Sequence, residues 1–498
     1  MYKHYRIMKK LLLFFLFPWF SYGQVQIGQD IEGEAVGDLF SFRMDISSDG
    51  SIIAIGAPDN DGVNGVDSGH VRVFENIDGV WTLIDREIDG EAFEDFSGRD
   101  VGLSSDGNIV AIGARGNSPT SGVFAGHVRV FENIEGTWTQ IGEDIDGEGA
   151  IDTSGGNLSL SQDGSIVAIG AAFNDGANGV DSGHVRVYEN IGGVWTQIGQ
   201  DIDGEAMDDQ SGNVNLSSDG NIVAIGATGN NGNGDNSGHV RVYENIGGVW
   251  TQIGQDIDGE GSGDISGASI RLSLNNNIIA IGGQLNDGVN GVDSGHVRIY
   301  ENIEGIWTQI GQDIDGETAD DISGASISLS ADGSIVAIGS PGPTGNNDRP
   351  GQVRIYRNQN DNWIQLGEDI NGEALGDLFG RSVALSDDGS ILAVGARAND
   401  GNGTNSGHVR VFDLSALLSI EETELVQFSL YPNPSSENVN IQLKSGMILR
   451  ETIIYNNLGQ LILKTEQNNI SVSDLKQGVY FVEVVTDQGR ASKKLVIE

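Results

Sequence analysis

Val25-Gln26-Ile27-Gly28-Gln29-Asp30-Ile31-Glu32-Gly33-Glu34 stands at the front of the chain's repetitive region, yet it has the sequence of a repeat's end. The same run, written as Trp195-Thr196-Gln197-Ile198-Gly199-Gln200-Asp201-Ile202-Asp203-Gly204-Glu205 or a close variant, ends each of six units. Their tryptophans, Trp81, Trp138, Trp195, Trp250, Trp307 and Trp363, are spaced by 57, 57, 55, 57 and 56 residues. A seventh unit reaches Val409-Arg410-Val411-Phe412 and then leaves the pattern without this ending. A repeat whose last strand is kept at the opposite terminus describes a closed ring. An open solenoid would need capping repeats and gives no reason for the split unit.

The second unit shows how each repeat is built. Val101-Gly102-Leu103 is a first strand, and Ser105-Asp106-Gly107-Asn108 is a tight Asp-Gly turn. Ile109-Val110-Ala111-Ile112-Gly113 is almost wholly apolar, as in a strand buried on both faces. After a Gly/Asn/Ser loop, His127-Val128-Arg129-Val130-Phe131 alternates with period two, and Glu132 to Gly136 turns the chain into a fourth strand, Trp138–Ile141. Four short antiparallel strands per unit make one blade of a β-propeller. The expected fold is all-β: a seven-bladed β-propeller over 24–413 in which the N-terminal strand completes blade seven and removes an aggregation-prone edge. Nearest the axis, the first strands carry small or polar residues on one face (Gly102, Ser159, Asn215, Ser328, Ala384). The opposite face carries Val101, Leu158, Val214, Ile327 and Val383, expected to pack on the next blade.

Composition narrows the function. Glycine supplies 74 of 498 residues, about twice its usual ~7% share, and sits between short apolar runs as a turn residue. The absence of cysteine excludes disulfides, zinc knuckles and thiol catalysis. Net charge is −45; residues 1–23 carry +4 and 427–498 carry zero, which leaves −49 on the repeats. Such a surface repels phosphates, so nucleic acid is not an expected partner. It suits solubility in salty surroundings and would attract divalent cations or basic partners.

Lys9-Lys10 followed by the apolar run Leu11–Phe20 and Ser21-Tyr22-Gly23 reads as a signal peptide over residues 1–23, too short to span a bilayer. Met8 looks like a more natural start. Residues 414–427, with Glu421-Glu422 and no turn chemistry, read as a linker. Over 428–498, alternating runs such as Val439–Leu443 and Tyr480–Val485 indicate a second, smaller sheet domain.

Two resemblances sharpen this picture. Phe379-Gly380-Arg381-Ser382-Val383-Ala384-Leu385-Ser386, with Ile391-Leu392-Ala393-Val394-Gly395-Ala396, resembles an FG-GAP repeat, as does Gly56-Ala57-Pro58. Such repeats build the propellers of integrin α-subunits and of bacterial surface proteins. Integrin-type blades hold calcium on a D-x-D-x-D-G hairpin. Here the hairpins read Ser48-Asp49-Gly50, Ser105-Asp106-Gly107 and Asn275-Asn276-Asn277, too few carboxylates for a six- to eight-oxygen shell. The C-terminal segment has Phe428-Ser429-Leu430-Tyr431-Pro432-Asn433-Pro434, Tyr455-Asn456-Asn457-Leu458-Gly459-Gln460, Leu475-Lys476-Gln477-Gly478-Val479-Tyr480 and the ending Lys493-Lys494-Leu495-Val496-Ile497-Glu498. It resembles the C-terminal sorting domain of type IX secretion in Bacteroidota. That resemblance implies a small β-sandwich recognised by the secretion machinery at the outer membrane, and a secreted or cell-surface protein.

The repeated polar residues read as structure. Arg72, Arg129, Arg186, Arg241, Arg298, Arg354 and Arg410 recur on third strands and are seven of the sixteen basic residues in the ring. Each is expected to pair with an acid such as Asp89 or Asp146. His70, His127, His184, His239, His296 and His408, replaced by Gln352 in the sixth unit, lie a blade apart, too far for one metal ion to join them. The tryptophans are expected to pack between blades. Acid-rich segments such as Asp144-Ile145-Asp146-Gly147-Glu148 and the loops between second and third strands should share one face. No cofactor is assigned by the pattern. Calcium is the candidate, and Asp59, Asp61, Asp175, Asp287 and Asp400 are the candidate metal ligands.

Repetition leaves no catalytic triad or carboxylate pair, since such sets must be singular. The departures are Arg43 and Arg271 on first strands, and Pro341, Pro343 and Pro350 in one loop. The expectation is a non-enzymatic binding or adhesion module whose acidic loop face contacts protein, glycan or cations. The alternative is a polysaccharide-active propeller hydrolase or lyase, which one non-repeated axial pocket with close carboxylates would favour. A self-associating coat is a third reading.

Overall fold

The computed structural model describes residues 23–343, 349–418, 428–443, 447–456, 460–473, 475–486 and 489–497. The expected signal peptide lies almost wholly outside these residues. The chain divides into two compact units, Met1–Leu418 and Ser419–Glu498.

In the first unit the repeat becomes seven antiparallel sheets of one pattern. In the second sheet, Ser97–Leu103, Ile109–Ala114, His127–Ile134 and Thr137–Gln140 follow one another from inside out. The sequence reading of four strands omitted a short fifth, Ile145–Asp146, which also pairs with the third strand, His127 opposite Asp146. The outer edge is interrupted around Gly142, whose φ of +77° turns the chain aside before it resumes. The alternation of the third strand and the apolar second strand are accounted for by burial: Val110, Ala111 and Ile112 have no exposed surface.

The last sheet is completed from the other end of the chain. Val25 and Gln26 lie opposite Asp413 and Phe412, and Ile31 and Glu32 opposite Val409 and His408. Seven apolar clusters join the sheets in succession. One unites Val71 and Val73 of the first sheet with Val101, Leu103 and Ile112 of the second, and another unites Val409 and Val411 of the last with Met44, Ile53 and Ile55 of the first. Val101 thus packs on the preceding sheet, not the following one. The fold is β-propeller-like and all-β.

A second circuit closes around the axis. At the inner hairpins, Ser48 N–H donates to Ser105 O (2.9 Å), Ser105 to Gln162 (2.8 Å), Gln162 to Ser218 (3.0 Å), Leu274 to Ala331 (2.9 Å), Ala331 to Asp387 (2.8 Å) and Asp387 back to Ser48 (2.9 Å). The remaining step, Ser218 to Leu274, is made by the serine hydroxyl (3.3 Å). Each sheet edge facing the axis therefore finds partners in its neighbour, as buried backbone groups require.

The tryptophans join the outer strands. The indoles of Trp195, Trp250, Trp307 and Trp363 donate to the carbonyls of Ile141, Ile198, Ile253 and Ile310, all in the preceding unit, at 2.8–3.2 Å. At the split sheet Gln24 occupies the corresponding sequence position, and its amide reaches Glu368 O (2.7 Å). Leu417 fills the remaining space beside Gly367. Residues 414–418, expected in the linker, therefore pack with the ring: Ser415–Leu418 is a short helix, and Leu414 and Leu417 are buried because no tryptophan stands there. The rest of the expected linker lies outside the described residues.

In the second unit, a three-stranded sheet of Phe428–Tyr431, Asn438–Leu443 and Asn469–Ser471 and a four-stranded sheet led by Leu449–Asn456 and Gly478–Thr486 share one apolar cluster, including Phe428, Ile441, Ile454, Val482 and Leu495.

Candidate functional site

The axis encloses a cavity of about 210 Å³ lined by the inner strands. Its hairpin end is crossed by Asp387, whose carboxylate accepts from Ser48 Oγ (2.7 Å) and from Gln162 Nε2 (3.2 Å), the latter three sheets away around the ring. Its walls are where the seven units differ. The middle residues of the inner strands are Asp45, Gly102, Ser159, Asn215, Arg271, Ser328 and Ala384 in turn.

Several of these side chains fasten one sheet to the next. Asp45 Oδ2 accepts from Leu103 N (2.8 Å), Ser159 Oγ from Leu216 N (2.9 Å), Asn215 Oδ1 from Leu272 N (2.7 Å) and Ser328 Oγ from Leu385 N (3.0 Å). Gly102 has no side chain to offer. Asp100, two residues earlier, accepts from Leu158 N in its stead (2.8 Å). Burial pushes Asp45 up to about 6, against its backbone donors and Arg271. Asp100 is also raised by burial, chiefly opposed by Arg43. The non-repeated residues Arg43 and Arg271 are thus both brought to the cavity.

The other sequence candidates have local partners. Asp61, Asp175 and Asp287 accept from the backbone N–H of Asp67, Asp181 and Asp293 (2.9–3.1 Å), and Asp400 from Asn405 N (2.8 Å). These are loop caps of the kind Asp and Asn make in turns. Asp59 differs: its carboxyl is raised by burial and by Asp67, and held down by Arg99, Arg115 and Arg397.

At the inner hairpins, Asp106 Oδ1 accepts from Ser104 Oγ (2.7 Å) and Asn108 N (3.0 Å). These bonds hold its carboxyl below the usual range. Gly107 has φ +73°, and a Cβ there would meet Ile52 of the preceding sheet at 2.4 Å. One carboxylate, already bonded to its own turn, does not fit a calcium site of the integrin type.

The third-strand arginines pair across sheets, but with a different group from the one expected. Arg129 Nη2 donates to the backbone carbonyl of Asp89 (2.7 Å), and Arg186 to that of Asp146 (2.8 Å). The ionic partners are Glu91 (3.7 Å) and Glu148 (3.4 Å), two residues further on. Those glutamates also bring carboxylates to the histidines. Glu91, His127 and Asp144 place ligand atoms within 4.8 Å of one another, as do four further sets containing His184, His239, His296 and His408. Comparing histidine only with histidine missed these sets, because the carboxylates come from connecting segments. Each set offers one nitrogen and two carboxylates, with the glutamate held by arginine in four of them, among them Glu205 and Glu260. Burial and the adjacent arginine push His70 down to about 3, and His296 to about 4.

A cluster of arginines escaped the sequence reading. At the end of the cavity opposite the hairpins, Phe42 lies under Arg99 (4.0 Å from guanidinium carbon to ring centre) and Arg397 (4.9 Å), with Arg43 at 6.0 Å. Arg381 is lowered to about 9 by burial and by repulsion from Arg43, Arg397 and Arg99. Arg99 is lowered to about 9 by burial, with Arg115 the leading charged neighbour. The signal was available: all of these depart from their columns in the repeat. Gly156, Ala268 and Ala325 occupy the position of Arg99 and Arg381 in other units, and Ala172, Thr228 and Gln284 that of Arg115 and Arg397.

Comparison with known proteins bears on delivery and fold. Residues 429–498 match the secretion system C-terminal sorting domain, and residues 371–412 match the FG-GAP repeat. No curated protein matches the chain. Among solved structures, hydrazine synthase of Kuenenia stuttgartiensis aligns at 15% identity and TM-score 0.48, over 77% of this chain and 96% of its own. A candidate 6-phosphogluconolactonase of Bacteroides uniformis aligns at 12% and 0.47, over 69% and 89%. Among the described residues no helix is long and apolar enough to cross a membrane. The chain carries an FG-GAP repeat on a β-propeller-like fold and a type IX secretion sorting domain, and is a secreted or cell-surface protein.

Proposed function

We propose that this protein is an extracellular binding module: a seven-bladed propeller used as a rigid scaffold, delivered by a C-terminal sandwich that engages the type IX machinery. Its ligand contacts the loop face at which the axial cavity opens. The observation that carries this reading is the contrast between repeated and singular residues. Third strands, tryptophans and hairpins recur in nearly every unit, whereas the middle residues of the inner strands vary, with only serine used twice. A site for one ligand must break sevenfold symmetry, and the axis is where the symmetry breaks. The acidic loops surround that site as a solvated rim, and calcium has no assigned role. Probing glycan and protein arrays with the full secreted chain tests the proposal. Selective binding that is lost on changing cavity residues supports it, and uniform absence of binding counts against it.

The alternative, a polysaccharide hydrolase or lyase, gains one specific support from Asp45 and Asp100, two carboxyl groups raised by burial in one cavity. Both are already engaged as backbone acceptors between sheets, which favours the binding reading. Turnover of any glycan that is abolished by Asp45→Asn would reverse that preference.

A further inference from the structure

Six of the eight ring arginines that are not on third strands gather at the axis: Arg43 and Arg271 line the cavity, and Arg99, Arg115, Arg381 and Arg397 stand in electrostatic reach of Arg43 or of one another. Asp45, Asp59 and Asp100 are carboxylates in electrostatic reach of them. Among the described residues, the arginines with ion pairs are Arg72, Arg129, Arg186, Arg241, Arg298, Arg349 and Arg410, and none of these belongs to the cluster. Gathering unpaired guanidinium groups against one another is costly. In a region of net charge −49 with many acids to spare, the cluster is a local exception that folding alone does not require.

Its position is fixed by strand pairing. Arg43 and Arg99 stand where inner strands begin, and Arg115 and Arg397 where second strands end, which in an antiparallel pair is the same end of the sheet. The acidic loops between second and third strands leave from that end too. The opposite end carries the hairpins and the Asp387 crossing. An incoming group therefore meets an acidic rim, then guanidinium groups around Phe42, then the cavity walled by Asn157, Asn213, Asn215, Ser159, Ser269 and Ser382.

We propose that this mouth binds an acidic sugar: the guanidinium groups of Arg99, Arg381 and Arg397 take a carboxylate or sulfate oxyanion, and the amide and hydroxyl wall takes the sugar hydroxyls. Planar guanidinium forks match such oxyanions in bidentate fashion. The acidic rim rejects densely charged polymers such as nucleic acid, so the fit is to a terminal residue carrying a single charge. The proposal deepens the binding-module reading and rests on it.

The test is calorimetric titration of the full secreted chain with galacturonic acid oligomers, a sulfated galactose oligomer, neutral galactose oligomers, and inorganic sulfate and phosphate. Expected is binding of one or both acidic oligomers, with neutral oligomers at least about tenfold weaker, and at least about tenfold loss in Arg99→Ala/Arg381→Ala, as removal of charge-assisted bonds gives. The two acidic arms decide between carboxylate and sulfate. Inorganic anions binding as tightly as the sugars would overturn the sugar assignment. Equal binding of neutral and acidic oligomers, or an unchanged double variant, would overturn the anion assignment while leaving a binding module elsewhere on the face. If the double variant fails to fold, the rise in melting temperature of the unaltered chain decides. A rise with acidic oligomers alone supports the site, and equal rises or none with acidic and neutral oligomers overturn it.

Discussion

The rim and the axis of the first unit are made from the same seven repeats and obey opposite rules. On the rim, an arginine, a histidine and a tryptophan recur with equivalent partners in most sheets. At the axis, equivalent positions hold aspartate, glycine, serine, asparagine, arginine, serine and alanine. Burial is high in both places, so burial does not separate them. What separates them is geometry: rim residues of successive sheets point into separate interfaces, whereas axial residues of all sheets converge. Repetition therefore marks what the fold needs, and its failure marks where one ligand can be met.

The largest expected effect comes from breaking the ring. Deleting residues 24–34 removes both N-terminal strands that pair with the outer side of His408–Asp413 and uncovers the apolar cluster shared by the last and first sheets. Cooperative thermal unfolding should be lost or greatly lowered. The milder Ile31→Ala, at a side chain 3% exposed, should cost about 2–4 kcal/mol in denaturant unfolding. Unchanged stability in both variants would rule out a closed ring.

Acid should weaken the rim through its buried histidines, while Asp45 at the axis, raised to about 6, acts in the opposite sense. The rim histidines lie below their ordinary value, with His70 near 3 and His127 and His296 near 4, through burial and a neighbouring arginine. The unfolded chain, with histidine near ~6.5, binds protons that the folded chain refuses. Their contribution is thus complete above that pH and is lost as pH falls towards 4. Melting temperature measured from pH 7 to pH 4 should fall across this window. His127→Gln, copying Gln352 of the sixth unit, should flatten the fall. An equal slope in the variant would remove histidine as the cause.

The smallest effect concerns one imperfect rim interface. Where other units have Gly followed by Gln or Glu, the first has Asp85-Arg86. Asp85 sits at φ +59°, and a Cβ at the equivalent Gly142 would meet Trp195 at 2.7 Å. Correspondingly, the Trp138 indole nitrogen is buried without a partner, while Asp85 accepts from the Trp138 backbone instead (3.2 Å). Asp85→Gly/Arg86→Gln should restore the common arrangement and raise unfolding free energy by about 1 kcal/mol. No gain would mean that the strain is already relieved elsewhere.

Much of the ring was legible because each repeat independently reports the same strands, turns and aromatic spacing. Arg43 and Arg271 stood out as departures and both reach the cavity. Arg99, Arg115, Arg381 and Arg397 also depart from their columns, but their convergence shows only when strands nearly 300 residues apart are laid side by side. The histidine sets were hidden for a similar reason: their glutamates and aspartates lie in connecting segments that acquire an address only when the sheet is assembled. The candidate aspartates of the loops were visible but ambiguous, because the residues that suit a cation also suit a turn.

The most direct measurement of the contrast between rim and axis compares two variants of the full secreted chain by calorimetric titration with acidic galactose-type oligomers. One removes rim carboxylates, Asp61→Asn/Asp287→Asn, and the other removes axial cations, Arg99→Ala/Arg381→Ala. The account predicts that the rim variant binds like the unaltered protein and that the axial variant loses at least about tenfold in affinity. Loss in the rim variant with binding retained in the axial one would contradict it.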